Sequence, residues 1–412
     1  MTTRRQLAIA ICTLLRAATA AADDWDSSGQ IRVLQENSSA SATGPAAAAK
    51  QLVPGLISIP TRSLVSEAEY HLNGHGLHAI ATLHAQTPAD GQASATGWVN
   101  ELYQDINAGE LQFSVGKKIV SWDVGYGFRP NDVVQQEQRR MLISSTLTGR
   151  PLAMAEWFSA DSALSLVWVN PAQGASDDNA REQALAARWS QRSGSADLYG
   201  FARYGRDSHA SLGAAAAWVA DESTELHASW RYQQQTSVLS YQDDALLAGS
   251  APWQQTWRPH AQQMLAGLSY TTASQDSYLL EYWWDGAAVS QQQWTDWNRR
   301  NLALTQLAIR PGLLLPAAAN LAWQNTGLQA GSNLHRQNLY LRWSRTAGAW
   351  QTAADMLWTP EDRGRIVTLS LAWQGDRWHI DAGLRLYGGP ASAIYSQLPV
   401  SRSAYLGATW SY

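Results

Sequence analysis

Apolar residues recur at every second position along most of this chain. The stretch "RWHIDAGLRLY" places Trp378, Ile380, Ala382, Leu384 and Leu386 on one face, and Arg377, His379, Asp381 and Arg385 on the other. "RIVTLSLAWQ" sets Val367, Leu369, Leu371 and Trp373 against Thr368, Ser370 and Gln374. "TELHASWRYQ" sets Leu226, Ala228, Trp230 and Tyr232 against Glu225, His227, Ser229 and Arg231. "LHRQNLYLRWS" sets Leu339, Leu341 and Trp343 against Arg336, Asn338, Tyr340 and Arg342. The final ten residues, "SAYLGATWSY", alternate in the same way and end on Tyr412. A period of two is that of a β-strand with one face in an apolar medium.

The strands and their connectors have a rhythm. Most alternating segments run about nine to eleven residues, the length that crosses a bilayer when tilted. Strands of soluble domains are nearer five or six. Short connectors such as Gly375-Asp376, Thr346–Gly348, Ser193–Ser195 and Asn107–Gly109 alternate with longer ones at 387–403, 285–333, 235–261, 170–182, 120–150 and 87–96. The connectors at 205–209 and 360–364 are short exceptions. Tight turns at one end and long loops at the other suit a barrel in a membrane, whereas a soluble sandwich or propeller has no reason to keep that order. The prediction is an all-β chain: a transmembrane antiparallel up-and-down β-barrel of about 16–18 strands, with long external loops and short periplasmic turns. About 17 strands follow from Arg62 onward, and a further upward strand is expected within "QLVPGLISIP", since such barrels favour even numbers. Residues 1–22 read as a signal peptide, 23–60 as a flexible periplasmic segment with the first strand, and 61–412 as the barrel.

Composition sharpens this picture. Arg4 and Arg5 precede the apolar run Leu7–Leu15, and Ala20-Ala21-Ala22 offers a cleavage site, as in an export signal. The only cysteine, Cys12, lies within that signal. The exported chain therefore has no disulfide, thiolate metal site or cysteine nucleophile. It would carry 27 basic and 34 acidic side chains, a balance of −7 that gives no nucleic-acid footprint. Tryptophan (21) and tyrosine (15) far outnumber phenylalanine (4), which favours residues that settle at a membrane–water boundary.

Candidate chemistry concentrates in two places. The connector 120–150 holds Arg129, Asp132, Glu137, Arg139 and Arg140, with Lys118 at its entry. Asp132 and Gln135 have capping-box spacing, which predicts a short helix through Arg139. If the connector folds inward, these charges narrow the pore; otherwise it is a solvated surface loop. On the polar faces, Arg188, Arg192, Glu225, His227, Arg231, Glu281, Arg336, Arg342, Arg377, His379, Asp381 and Arg385 are the expected lumen lining. They form either a self-paired hydrated interior or an arginine track for an anionic solute. In the longest connector, Trp294, Trp297, Asn301, Leu304 and Ala308 have helical spacing. They predict a loop helix at the mouth, with a hairpin to "AAANLAWQN" as the alternative. No Gly-x-Ser-x-Gly elbow occurs, and the His71–His84 run is accounted for by strand alternation and a turn, so no catalytic residue, metal or cofactor is expected.

Motifs near the connector add a resemblance. "NELYQDI" (Asn100–Ile106), then Gly116–Lys118, Trp122 and "FRPNDVV" (Phe128–Val134), are similar to a pattern in Gram-negative outer-membrane barrels of the porin-like and alginate-export-like type. Lys118, Asp123 and Gln135-Gln136 depart from it. The terminal strand resembles the signal that barrel-assembly machinery reads, carried here by Leu406, Trp410 and Tyr412. The resemblance implies a cell outer-membrane protein in contact with lipid. The expected function is a channel passing a small polar solute, anionic or saccharide-like, without chemistry. An export outlet for a polysaccharide or peptide, working with periplasmic partners, is the second reading, and an enzyme at the rim the weakest.

Overall fold

The computed structural model of the chain describes residues 25–59, 61–89, 91–135, 147–171, 182–242, 244–328 and 333–412. Eighteen strands follow one another in chain order. They are β1 (Asp26–Ala40), β2 (Arg62–Gly74), β3 (Leu77–Pro88), β4 (Ser94–Ala108), β5 (Leu111–Lys118) and β6 (Arg150–Phe158). Next come β7 (Ser162–Val169), β8 (Ala184–Ser193), β9 (Ala196–Gly205), β10 (His209–Val219), β11 (Thr224–Tyr241) and β12 (Trp253–Thr271). The last are β13 (Asp276–Asp285), β14 (Gln337–Ala347), β15 (Trp350–Thr359), β16 (Gly364–Gln374), β17 (Trp378–Gly388) and β18 (Val400–Ser411). Each pairs antiparallel with its neighbours, and β1 pairs with both β2 and β18, so the sheet closes. Closure removes both free edges, which a sheet surrounded by hydrocarbon must do.

Seventeen strands follow from Arg62, as the alternation predicts, but the eighteenth lies elsewhere than expected. It is β1, from Asp26, and not "QLVPGLISIP". That stretch supplies the end of helix α1 (Pro45–Leu52) and irregular chain after it. Nor is 23–60 a flexible periplasmic segment. Its first part is wall, and α1 sits at the long-loop end, packing Ala49 against helices of another loop. Proline at the first helical position loses nothing, because that N–H has no helical partner in any case.

The outward face carries the apolar parity. Leu166, Leu185, Leu212, Leu280, Leu341, Leu369, Ile380 and Leu406 are all exposed there. At the short-turn end Trp343, Trp350, Trp373, Trp378 and Trp410 form a belt; Trp350 faces Trp373, and Trp378 faces Trp410. On β15, Trp350 and Trp358 point outward eight residues apart. That separation spans about 27 Å of strand, or about 20 Å of height at a tilt near 40°, close to the apolar band of a membrane barrel. Eighteen strands spaced about 4.8 Å and so tilted enclose a backbone cylinder about 35 Å across. A cylinder that wide is an open pipe unless something fills it.

Two long connectors do so. Between β13 and β14 lie helices α2 (Gln291–Leu307) and α3 (Leu314–Trp323). Ser290 and Gln293 form a reciprocal capping box at the start of α2. The five residues with helical spacing are all buried. The partner segment is the helix α3, not a strand of a hairpin. Trp294 and Trp297 pack with Tyr241, Trp253, Ile394 and Tyr395 into a cluster at the mouth. The second connector, between β5 and β6, goes inward.

Candidate functional site: the passage beside the inward loop

After Lys118 the chain leaves the wall and crosses the interior. Val120, Trp122, Val133 and Val134 rest on inward residues of β6 to β10: Leu152, Met154, Val167, Val169, Ala186, Phe201 and Ala215. Asp132 ties the two limbs of the crossing. Its Oδ1 accepts the Trp122 and Asp123 amides at 2.9 and 3.3 Å, and the Ser121 hydroxyl bonds both of its oxygens. The residues from Asp132 to Gln135 are not helical. The carboxylate binds amides across the loop instead of capping a helix, so the expected helix does not begin there. The rest of it, with Glu137, Arg139 and Arg140, lies outside the described residues.

The far end of the crossing is fastened to β10, β11 and β13. Glu281, fully buried, accepts the amides of Tyr126 (2.7 Å) and Gly127 (2.6 Å) and bonds His227 Nε2 (2.9 Å). A side chain at Gly127 would meet Glu281 at 3.0 Å and Trp283 at 3.2 Å, so the backbone comes this near only as glycine. Phe128 stacks on Trp283. Asn131 donates to Ser229 Oγ (2.8 Å) and to the carbonyls of Trp230 and Ala214 (3.1 and 3.3 Å). Gly213 leaves room for it, since a Cβ there would overlap the amide oxygen. Asp123 accepts from Ser229 (2.9 Å), and Arg231 donates to the Pro130 carbonyl (3.0 Å).

Beside this bridge lies a cavity of about 340 Å³. One side is the loop, with Tyr126, Phe128 and Arg129. The other is the wall of β14 to β17, with Tyr340, Asp355, Thr368 and Arg385. Arg342 Nη1 and Tyr340 Oη both donate to Asp355 Oδ1 at 2.8 Å. Arg385 donates to Thr368 at 3.1 Å. Arg129 donates to the Gly125 carbonyl (2.7 Å) and lies 4.0 Å from Asp132. The wall continues through Asp381, Arg32, Glu67 and His84, with separations of 3.7, 4.0 and 3.0 Å.

The expected lining residues divide accordingly. Arg342, His379, Asp381 and Arg385 face the open interior, His379 lying 4.0 Å from Asp381. Arg188 is on the inner face of β8, over the Tyr199 ring at 5.2 Å. Glu225 lies 3.9 Å from His227 Nδ1. His227, Arg231 and Glu281 point inward but are covered by the loop, so they hold it and do not line the passage. Three others are not on the wall. Arg192 is an exposed turn-end residue paired with Asp197 at 3.0 Å. Arg377 is exposed in the β16–β17 turn, and Arg336 precedes β14 at the long-loop rim, donating to Ala288. Their parity is right, but the strands end before they reach the lumen. Lys118 is a wall residue bound to Asp105 (3.3 Å) and Ser114 (2.8 Å), above the Tyr103 ring. Sequence reasoning omitted Arg32, Glu67, Glu69, His84 and Asp355. "SEAEYHL" carries the signal for two of them, with Glu67 and Glu69 alternating against Ala68 and Tyr70.

At the seam, Leu406 and Trp410 face outward, and Tyr412 exchanges backbone hydrogen bonds with Gly29 (3.1 and 3.0 Å). The Tyr412 ring covers Gly29, where any Cβ would collide with it.

No protein-family model and no curated protein matches the sequence. Solved structures do match. Pseudomonas aeruginosa OccK3 (OpdO) aligns over 95% of this chain and 96% of its own, at 10% identity and a TM-score of 0.53. OccK5 (OpdH) of the same organism aligns over 94% and 98%, at 10% identity and 0.52. OccK11 (OpdR) aligns over 94% and 95%, at 10% identity and 0.50. The likeness is one of fold: this chain is a porin-like barrel.

Proposed function

We propose that the protein is an outer-membrane channel through which a small polar solute diffuses, along the passage between the inward loop and the wall of β14 to β17. The carrying observation is the bridge itself. It is fastened to the opposite wall by buried charged and polar groups, yet leaves a cavity large enough for a small organic molecule beside it. A fixed partial obstruction selects by size and charge and needs no chemistry. Arg129 and Arg385 face the cavity from its two sides, which favours an anionic or saccharide-like solute rich in acceptor oxygens. Lipid receives the outward parity. Residues 1–22 act as the export signal, and the terminal strand with Leu406, Trp410 and Tyr412 is what assembly machinery reads.

Reversal potentials in planar bilayers under a salt gradient test this. The expected outcome is discrete conducting steps with an anion preference, together with swelling of loaded vesicles in sugar acids. A purified, folded barrel that passes no current contradicts the proposal.

A further inference from the structure

The outward rim at the long-loop end changes character around the barrel. Over β7 to β13 its outward positions hold aromatic residues, among them Trp168, Tyr204, Tyr232 and Tyr282. Over β16, β18 and β2 they hold Arg365, Arg402 and Arg62, all exposed. Register fixes their direction. Arg365 faces the outward Trp358, Arg402 faces the outward Leu386, and Arg62 shares its parity with the exposed Leu64.

Register also fixes their height. At the opposite end the tryptophan belt stays level by stepping two residues toward the short turns: Trp373 faces Ile380, and Trp378, two residues nearer the turn, faces Trp410. The arginines step in the same sense. Arg365 faces Gly388, and Arg402 faces Leu386, two residues nearer the short-turn end. Arg62 faces Asn37, whose partner on β18 is Ala404, two residues nearer again. The three therefore stand at one level, along an arc of four strand spacings, about 19 Å.

Their partners in the protein are neutral. Arg402 Nε donates to Ser39 Oγ (2.8 Å) and Arg62 Nε to Asn37 Oδ1 (3.2 Å). Arg365 lies across Gly388, with Nε 3.9 Å from where a side chain there would begin, and so leans toward Arg402. Among the described residues none of the three forms an ion pair with a carboxylate. Three unneutralised guanidinium groups just above an apolar band sit where lipid headgroups lie, and guanidinium bonds phosphate oxygens in pairs.

We propose that this arc binds the phosphate groups of an anionic lipid headgroup in the leaflet at the long-loop end. The inference rests on the barrel lying in a membrane, but not on what its lumen passes. The full-length protein and the triple variant Arg62→Gln, Arg365→Gln, Arg402→Gln are titrated in detergent with bisphosphorylated lipid A, dephosphorylated lipid A and inorganic phosphate. Retained adducts are read by native mass spectrometry. The wild type is expected to hold the phosphorylated lipid about tenfold more tightly than the triple variant. The dephosphorylated lipid should bind both equally, and millimolar phosphate should not displace the lipid. Equal retention by the triple variant overturns the proposal, and so does displacement by free phosphate. Single-channel conductance of the same variant should equal that of the wild type, which keeps this result separate from the channel reading.

Discussion

The inner face of the barrel is two walls of opposite chemistry built on one alternation. On β6 to β10 the inward residues are apolar: Leu152, Met154, Val167, Val169, Ala186 and Phe201, all buried under the loop that follows Lys118. On β14 to β18 and on to β3, the inward residues are Tyr340, Arg342, Asp355, Arg385, Asp381, Arg32, Glu67 and His84, linked by ion pairs and open to the interior. Direction is the same on both walls; hydration differs. A wall covered by protein must be apolar or fully bonded, whereas a wall facing water can keep its charges. The covered wall thus positions the obstruction, and the open wall meets the solute.

Introducing a charge on each wall gives the largest contrast. Val167→Asp buries an unpaired carboxylate beneath the loop, and the unfolding midpoint in detergent should drop by the equivalent of about 3–5 kcal/mol. Ser370→Asp, on the open wall, should stay within about 0.5 kcal/mol. Similar losses at the two positions would mean that the walls do not differ. Next in size is release of the bridge. Glu281→Ala with Asp123→Ala removes acceptors worth about 1.5–3 kcal/mol per charged hydrogen bond, so the loop should leave its anchor. Single-channel conductance should rise by about twofold, with the barrel still resistant to heat on gels. Unaltered conductance would show that the crossing does not limit flow. A smaller effect is expected at Arg385→Glu: the anion preference should weaken or reverse, with conductance changed by less than about twofold.

The smallest predicted effect lies outside the membrane, at the base of the α2–α3 connector. His335 Nδ1 bonds Glu361 at 3.0 Å, and its Nε2 pairs with Asp362 at 2.9 Å. Burial opposes the charge on His335, but bonds to Asp362 and Glu361 outweigh it and raise the imidazole above its ordinary 6.5. Burial likewise acts to raise Asp362, yet His335 brings it from 3.8 down to about 2. The signs are opposite. The stabilisation from His335 is complete below 6.5 and is lost as pH rises through its elevated value. That from Asp362 is complete above 3.8 and is lost as pH falls through about 2. The connector should therefore be held most firmly between these limits. Amide exchange of α2 should quicken at alkaline pH in the wild type. It should be fast and independent of pH over that range in His335→Ala.

Much of this was legible in the sequence. Period-two alternation gives the barrel, its outward face and the 17 strands from Arg62. The spacing of Trp294, Trp297 and Leu304 gives the loop helix. The first strand was hidden because "DSSGQIRVLQENSSA" is too polar to declare a lipid face; its outward row includes Gln35 beside Ile31 and Val33. The covered wall left a trace that alternation alone does not explain. "SALSLVWV" is apolar on both parities, with Leu164, Leu166 and Trp168 outward and Val167 and Val169 inward. A strand that is apolar on both faces needs cover on both, and here the inner cover is the loop. His227, Arg231 and Glu281 were read as facing solute because parity says inward or outward, never wet or dry. Arg192, Arg336 and Arg377 were misplaced because parity does not say where a strand ends.

The central claim is that solute passes between the inward loop and the β14–β17 wall. With Cys12 the chain's only cysteine, thiol modification can test this at a single site. Arg385→Cys places a thiol on the cavity wall, and Leu384→Cys places one on the lipid side, one residue away. Single-channel current is recorded before and after a bulky, membrane-impermeant thiol reagent. The account predicts that current through the Arg385→Cys channel falls on modification while that through Leu384→Cys is unchanged. Full current through a labelled Arg385→Cys channel would contradict it.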